Sequence, residues 1–297
     1  MNLRNILSEI EKVDADVFEQ QSDRRNVLKN FGSKLALAAV PFAASALFSK
    51  ASAQTAAAKT TAPDPVVVAL NVILEQKYLA YAFFRHGNNT GSLIPAADLA
   101  GFQAIEAHGK AQINFLNVTI TNLGGVPFKP NHYTDPTTTA PYVPAAYDFT
   151  AHGTYPNVFT TYESFLIIGQ LIEDTGVHAI KGQIAALMAN MDVLVNIFGL
   201  QATEARHAAF VRLVRRLNPG LSPEYPAPWI TNNIPPTIPT RNYYDGEDNV
   251  EHKSIIITTL PDQYAAGGVV PQISATAAFD EGYPTATIMT LMAPFKL

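Results

Sequence analysis

Two long amphipathic runs in this chain carry ionisable residues where only apolar ones belong. Steps of three and four along residues 192–217 give Val193, Ile197, Leu200, Glu204, His207, Val211 and Val214. The same steps along 160–188 give Leu166, Gln170, Glu173, Val177, Ile180, Ile184 and Leu187. That period marks the inward stripe of a helix packed on other helices. An unpaired charge in such a stripe is costly, so Glu173, Glu204 and His207 require partners or a metal ion. Glu204 and His207 stand three apart on one face, the spacing at which a carboxylate and an imidazole share a cation, and Glu173 supplies a second carboxylate from the neighbouring run.

Two further helices complete the set. Asp64 and Pro65 form a helix start, the carboxylate as N-cap and the proline at the first helical position. The apolar run over 66–86 then stops at Gly87-Asn88-Asn89. A second helix is predicted over 96–123, halted by Gly124-Gly125-Val126-Pro127. A connection rich in Pro, Thr and Tyr, 127–156, joins this pair to the next and is long enough to cross a bundle. The expected fold is all-α, a four-helix bundle of two antiparallel helix hairpins with a long crossover. An extended Pro-rich C-terminal tail follows it, with a short strand or extended packing segment at 255–260 and a short helix at 285–292. Within the tail, Asp245, Glu247, Asp248 and Glu251 fit no calcium loop and are expected as an exposed acidic turn.

The stripes of the first hairpin read Leu70, Leu74, Lys77, Tyr81, Phe84 and Phe102, Ile105, Gly109, Gln112, Leu116, Ile120, Leu123. Lys77 and Gly109 are 32 residues apart and Glu173 and Glu204 are 31, so the hairpins match in register. One hairpin offers three metal-binding side chains. The other places Lys77, Gly109 and Gln112 at the corresponding positions. Glu75, Glu106 and His108 lie off the stripes and are expected on solvated flanks.

The N-terminal segment has the order of an export signal. Arg24-Arg25 precedes an apolar run over 35–48 and then Ala51-Ser52-Ala53, which points to twin-arginine translocation and cleavage near residue 53. At about 14 residues the run is short for a bilayer span, which needs about 20, so no stable membrane span is expected after cleavage. A retained N-terminal anchor helix is the alternative. Charged residues make up only 15% of the chain, net charge is −5, and no basic block is present, which argues against nucleic acid as a partner. With no cysteine, thiolate metal sites and thiol nucleophiles are excluded. No nucleophile-elbow or phosphate-loop sequence occurs either.

Several stretches together resemble a known family. They are Leu70-Asn71, Tyr78-Leu79, Asn122-Leu123-Gly124-Gly125-Val126-Pro127, Glu173-Asp174-Thr175-Gly176-Val177, Glu204-Ala205-Arg206-His207-Ala208-Ala209, Ala278-Phe279-Asp280-Glu281 and Ala293-Pro294-Phe295. The chain resembles, over about residues 64–297, the exported ferritin-like domain family related to plant desiccation-associated proteins. The resemblance implies a ferritin-like bundle. It also implies Glu at the position of Lys77 and Glu-x-x-His where Gly109 and Gln112 stand. Ferritin-like relatives hold two iron or manganese ions and act on oxygen, peroxide or ferrous iron. Here only Glu173, Glu204 and His207 remain of that set, and the Lys77 ammonium is expected to pair with Glu173 or Glu204.

The expected layout is an export signal over 1–53, a linker over 54–63, the ferritin-like bundle over 64–218 and a tail over 219–297 packing on it. The expected function is that of an exported ferritin-like protein, periplasmic or in the cell envelope, with a decayed di-metal site and a non-enzymatic binding, structural or stress-related role. The alternative keeps one Fe or Mn ion on Glu173, Glu204 and His207, with residual oxidoreductase or storage chemistry. A third reading, a carbohydrate- or surface-binding module, rests on the Tyr- and Pro-rich crossover and tail. A protein or small-molecule partner is not specified by the sequence.

Overall fold

Asp64 begins the described fold by capping: its Oδ1 accepts from the Val66 amide at 2.8 Å, with Pro65 in the first turn. The computed structural model describes residues 63–130, 147–218, 227–232, 241–262 and 267–297. The expected export signal over 1–53, nearly all of the expected linker, the middle of the crossover and most of the Pro-rich stretch after residue 218 lie outside the described residues.

Four long helices follow: α1 (Pro65–Asn89), α2 (Ala96–Asn122), α3 (Tyr162–Leu187) and α4 (Met191–Leu217). They pack in pairs as a ferritin-like four-helix bundle, α1 with α2 and α3 with α4, with α1 also lying along α3. α2 and α4 touch sparsely, and α1 and α4 occupy opposite corners. Helix α1 runs through Gly87 to Asn89 rather than stopping at the glycine. A Cβ at Gly87 would lie 2.2 Å from the Phe165 ring, so the missing side chain there admits an aromatic neighbour. α1 is the one described helix long and apolar enough to cross a membrane, and most of its apolar window is buried in this bundle.

The residues of the predicted inward stripes are buried, apart from the half-buried Leu123 and Ile184 at the helix ends, and α1 and α3 bury further faces besides. Two apolar clusters fill the bundle. One is aromatic, built on Phe83, Phe84, Phe102 and Phe165; the other is aliphatic, built on Leu70, Leu74, Ile113, Leu116 and Ile197. Each such side chain contributes about 1.5–3 kcal/mol on burial. Along α4 the aliphatic cluster ends at Leu200 and the aromatic one begins at Val211, which leaves Glu204 and His207 between them.

The tail carries a 3-10 turn at Arg241–Tyr244 and a small antiparallel hairpin, β1 (Glu251–His252) and β2 (Ile255–Ile256). Two short helices follow, α5 (Gln272–Ala277) and α6 (Thr285–Met292). The segment 255–260 differs from expectation: only Ile255 and Ile256 are strand, both are exposed, and a 3-10 turn follows. α6 lies where the sequence places a short helix, and it sends Ile288, Leu291 and Met292 into the aromatic core.

Polar bonds also tie the tail to α3 and α4. Arg212 donates through Nε to Asp174 at 3.1 Å, the Tyr244 hydroxyl donates to Asp174 at 2.7 Å, and the Gln170 amide donates to that hydroxyl at 3.1 Å. The acidic turn is not uniformly exposed: Glu247 is buried and accepts from the Glu281 amide at 2.7 Å.

Candidate metal centre

Lys77 leaves α1 at mid-length and its ammonium donates to Glu204 of α4, across the diagonal of the bundle. Lys77 is 1% exposed and Glu204 is fully buried. One turn along α4, His207 points Nδ1 at both carboxylates, 3.4 Å from Glu173 and 3.5 Å from Glu204. The structure thus brings Glu173, Glu204 and His207 together, one donor atom from each lying within 4.8 Å of the others. Lys77, Gly109 and Gln112 line the same small cavity, with Tyr81, Phe84 and Ile105 as its apolar wall. At about 10 Å³ it has room for one water-sized molecule.

Neighbours on three helices hold this arrangement. Gln76 is buried beside Lys77 and donates through Nε2 to the Ile172 carbonyl at 2.9 Å. A Cβ at Gly176 would come within 2.9 Å of both Gln76 Nε2 and Glu204 Oε2, so the missing side chain lets the two polar groups lie against α3. On the α2 side, His108 Nδ1 lies 2.9 Å from His207 Nε2, the rings being parallel within 7°. His108 is exposed, so a single ring separates His207 from solvent on that side.

The electrostatics follow from burial and partners. Burial would raise the Glu204 carboxyl, but the Lys77 ammonium and His207 outweigh it and hold the group well below the usual carboxylate range. Burial would likewise lower His207, yet the Glu173 and Glu204 carboxylates facing its Nδ1 push it up to about 9. Glu173 has no lysine of its own, and burial together with the Glu204 charge raises it. Burial and the neighbouring imidazole lower His108, which suits it to accept at Nδ1 from the His207 N–H. Glu204 with Lys77, and Glu173 sharing one proton with His207, make a cluster of no net charge.

A dinuclear centre does not fit these residues. Two divalent ions need carboxylates from both hairpins. The first hairpin supplies an ammonium, a glycine and the Gln112 amide, whose oxygen and nitrogen are both buried without a hydrogen-bond partner. The three donors of the second hairpin suffice to hold one ion, if Lys77 yields Glu204 and His207 yields its Nδ1 proton. Such an ion would supply Lewis-acid or one-electron chemistry.

Three residues of this neighbourhood escape a reading by stripe. His108 and Gln76 both sit beside the cluster, and Glu75, expected to be solvated, is half-buried and pairs with Lys296 of the tail. Glu106 likewise has a partner, accepting from Asn88 at 2.8 Å. His108 had one legible signal, its position next to Gly109 of the stripe.

A family model described as a ferritin-like domain matches residues 66–216, half of the chain. The chain belongs to that family, and the match covers all four helices and every residue of the charged cluster. No curated protein matches it in sequence.

Proposed function

We propose that this chain is an exported ferritin-like protein that works without a dinuclear metal centre, in a non-enzymatic binding or structural role in the cell envelope. The observation that carries the reading is the Lys77 ammonium on Glu204. It puts a positive charge into the cluster that an incoming cation must displace, and the charges already sum to zero. Export is supported by Arg24-Arg25, the apolar run and Ala51-Ser52-Ala53. The test is elemental analysis and intact mass of protein recovered from the envelope of the producing cell. Less than one iron or manganese per chain, and a chain that starts near Gln54, are expected. Two tightly bound ions would overturn the metal-free reading, and a chain still starting at Met1 would overturn cleavage.

A second reading keeps one iron or manganese ion on Glu173, Glu204 and His207. The approach of His207 Nδ1 to both carboxylates favours it. One ion per chain in the same measurement, lost on His207→Gln, would select it.

A further inference from the structure

We infer that Lys77 is the built-in cation of this bundle: its ammonium takes the electrostatic part that a metal ion plays between ferritin-like hairpins, so that the charged core closes without metal. The inference rests on the metal-free reading above and deepens it.

Position is the first ground. Lys77 belongs to one hairpin and Glu204 to the other, and their bond joins α1 to α4, corners of the bundle that otherwise barely touch. A bridging metal would tie the hairpins at this same place.

Depth is the second. At 1% exposure the ammonium has almost no water, so Glu204 is what keeps its charge bearable. The converse holds for Glu204, whose Oε2 receives the ammonium while Oε1 faces His207. Deleting either charge strands the other.

The remaining donors are the third ground. His207 Nδ1 stands 3.4 and 3.5 Å from the two carboxylate oxygens. Donors on tetrahedral corners about 2.1 Å from an ion stand about 3.4 Å from one another. Both spacings from His207 are thus those of donors around one cation, one donor atom of each of the three side chains lies within 4.8 Å of the others, and the charge that meets Glu204 is an amine on the chain itself.

Lys77→Met keeps the stem and deletes the charge. The unmodified protein is expected to melt at one temperature in chelator and in excess Co2+, with no cobalt absorption band in the visible. Lys77→Met is expected to melt lower in chelator and to recover by about 5–10 °C once Co2+ reaches a hundredfold its dissociation constant, with a tetrahedral cobalt band. In Lys77→Met/Glu204→Gln neither charge is stranded. It should regain stability in chelator and ignore Co2+. If Lys77→Met does not fold in chelator, Co2+ should refold it from urea. A Lys77→Met protein that Co2+ neither stabilises nor refolds overturns the inference while the metal-free reading stands. Unmodified protein that itself takes up Co2+ at these residues overturns both.

Discussion

Glu247 lies with a carboxyl oxygen 3.4 Å from Nδ1 of His178, and neither side chain reaches solvent. His178 donates from Nδ1 to the Glu281 carbonyl at 2.7 Å and stacks on Tyr283, so this pair clamps residues 281–283 to α3. Burial first, then the charges of Asp280, Glu281 and Asp174, push Glu247 up to about 7, against the opposing hydrogen bond from the Glu281 amide. A carboxyl raised above its ordinary 4.5 gives stability that is complete below about 4.5 and lost as pH climbs through about 7. His178, lowered by burial, works oppositely on the acid side, because the unfolded chain binds its proton first. Glu247→Gln keeps the oxygen that accepts from Glu281 and removes the ionisation. It should be more stable than the unmodified protein at pH 8 by about 2 kcal/mol, the gap narrowing toward pH 4.5. Urea midpoints across that range decide it, and parallel curves would refute the buried acid.

Asp174 and Arg212 predict the largest losses outside the metal-centre residues. Arg212→Met leaves Asp174 buried with the Tyr244 hydroxyl as its main partner and should cost about 3–5 kcal/mol in equilibrium denaturation. Tyr244→Phe removes one hydrogen bond from the same carboxylate and should cost about 1–2 kcal/mol. Equal losses for the two variants would mean that the ion pair is not what holds Asp174.

Two glycines should respond with opposite sign. A Cβ at Gly182 would sit 1.8 Å from the Tyr283 carbonyl oxygen, a backbone atom that cannot swing away. Gly182→Ala should therefore lift residues 280–284 from α3. The Tyr283 amide, which donates to the His178 carbonyl at 3.2 Å, should lose its protection from hydrogen exchange while helix content by circular dichroism holds.

Gly109 is the contrasting case. The nearest atom to a Cβ there is Tyr81 Cβ at 3.5 Å, an ordinary contact, and the backbone is mid-helix. Gly109→Ala should stabilise by about 0.5–1 kcal/mol through helix propensity alone. A loss in thermal unfolding would show that the cavity needs the space.

The stripes of all four helices, and the mid-length position of Glu173, Glu204 and Lys77, were legible because a helix buried on one face repeats every 3.6 residues. Asp174 and His178 were not. Helix α3 is covered on its second face by Tyr244 and by residues 280–283, and a helix buried nearly all round shows no polar side to contrast with its core. His108 failed for another reason: it is exposed, and only the approach of α4 to α2 brings it to His207. Glu247 was hidden by its neighbours, since one buried acid in an acidic turn has the composition of a surface loop.

The seating of α6 and Phe295 has a bearing on how the molecule is made. Ile288, Leu291, Met292 and Phe295 finish the aromatic core, and Lys296 reaches back 221 positions to pair with Glu75 on the first helix. A nascent chain on the ribosome can zip α1 to α2 and α3 to α4, since those contacts are close in sequence. It cannot shut the aromatic end until residues 285–296 have been translated. Until then the aromatic cluster lacks Ile288, Leu291, Met292 and Phe295, so the growing chain exposes apolar surface that these four later cover. A chaperone that binds exposed aromatic surface should be found on stalled chains cut at residue 280 and absent from folded chains that include residues 285–296.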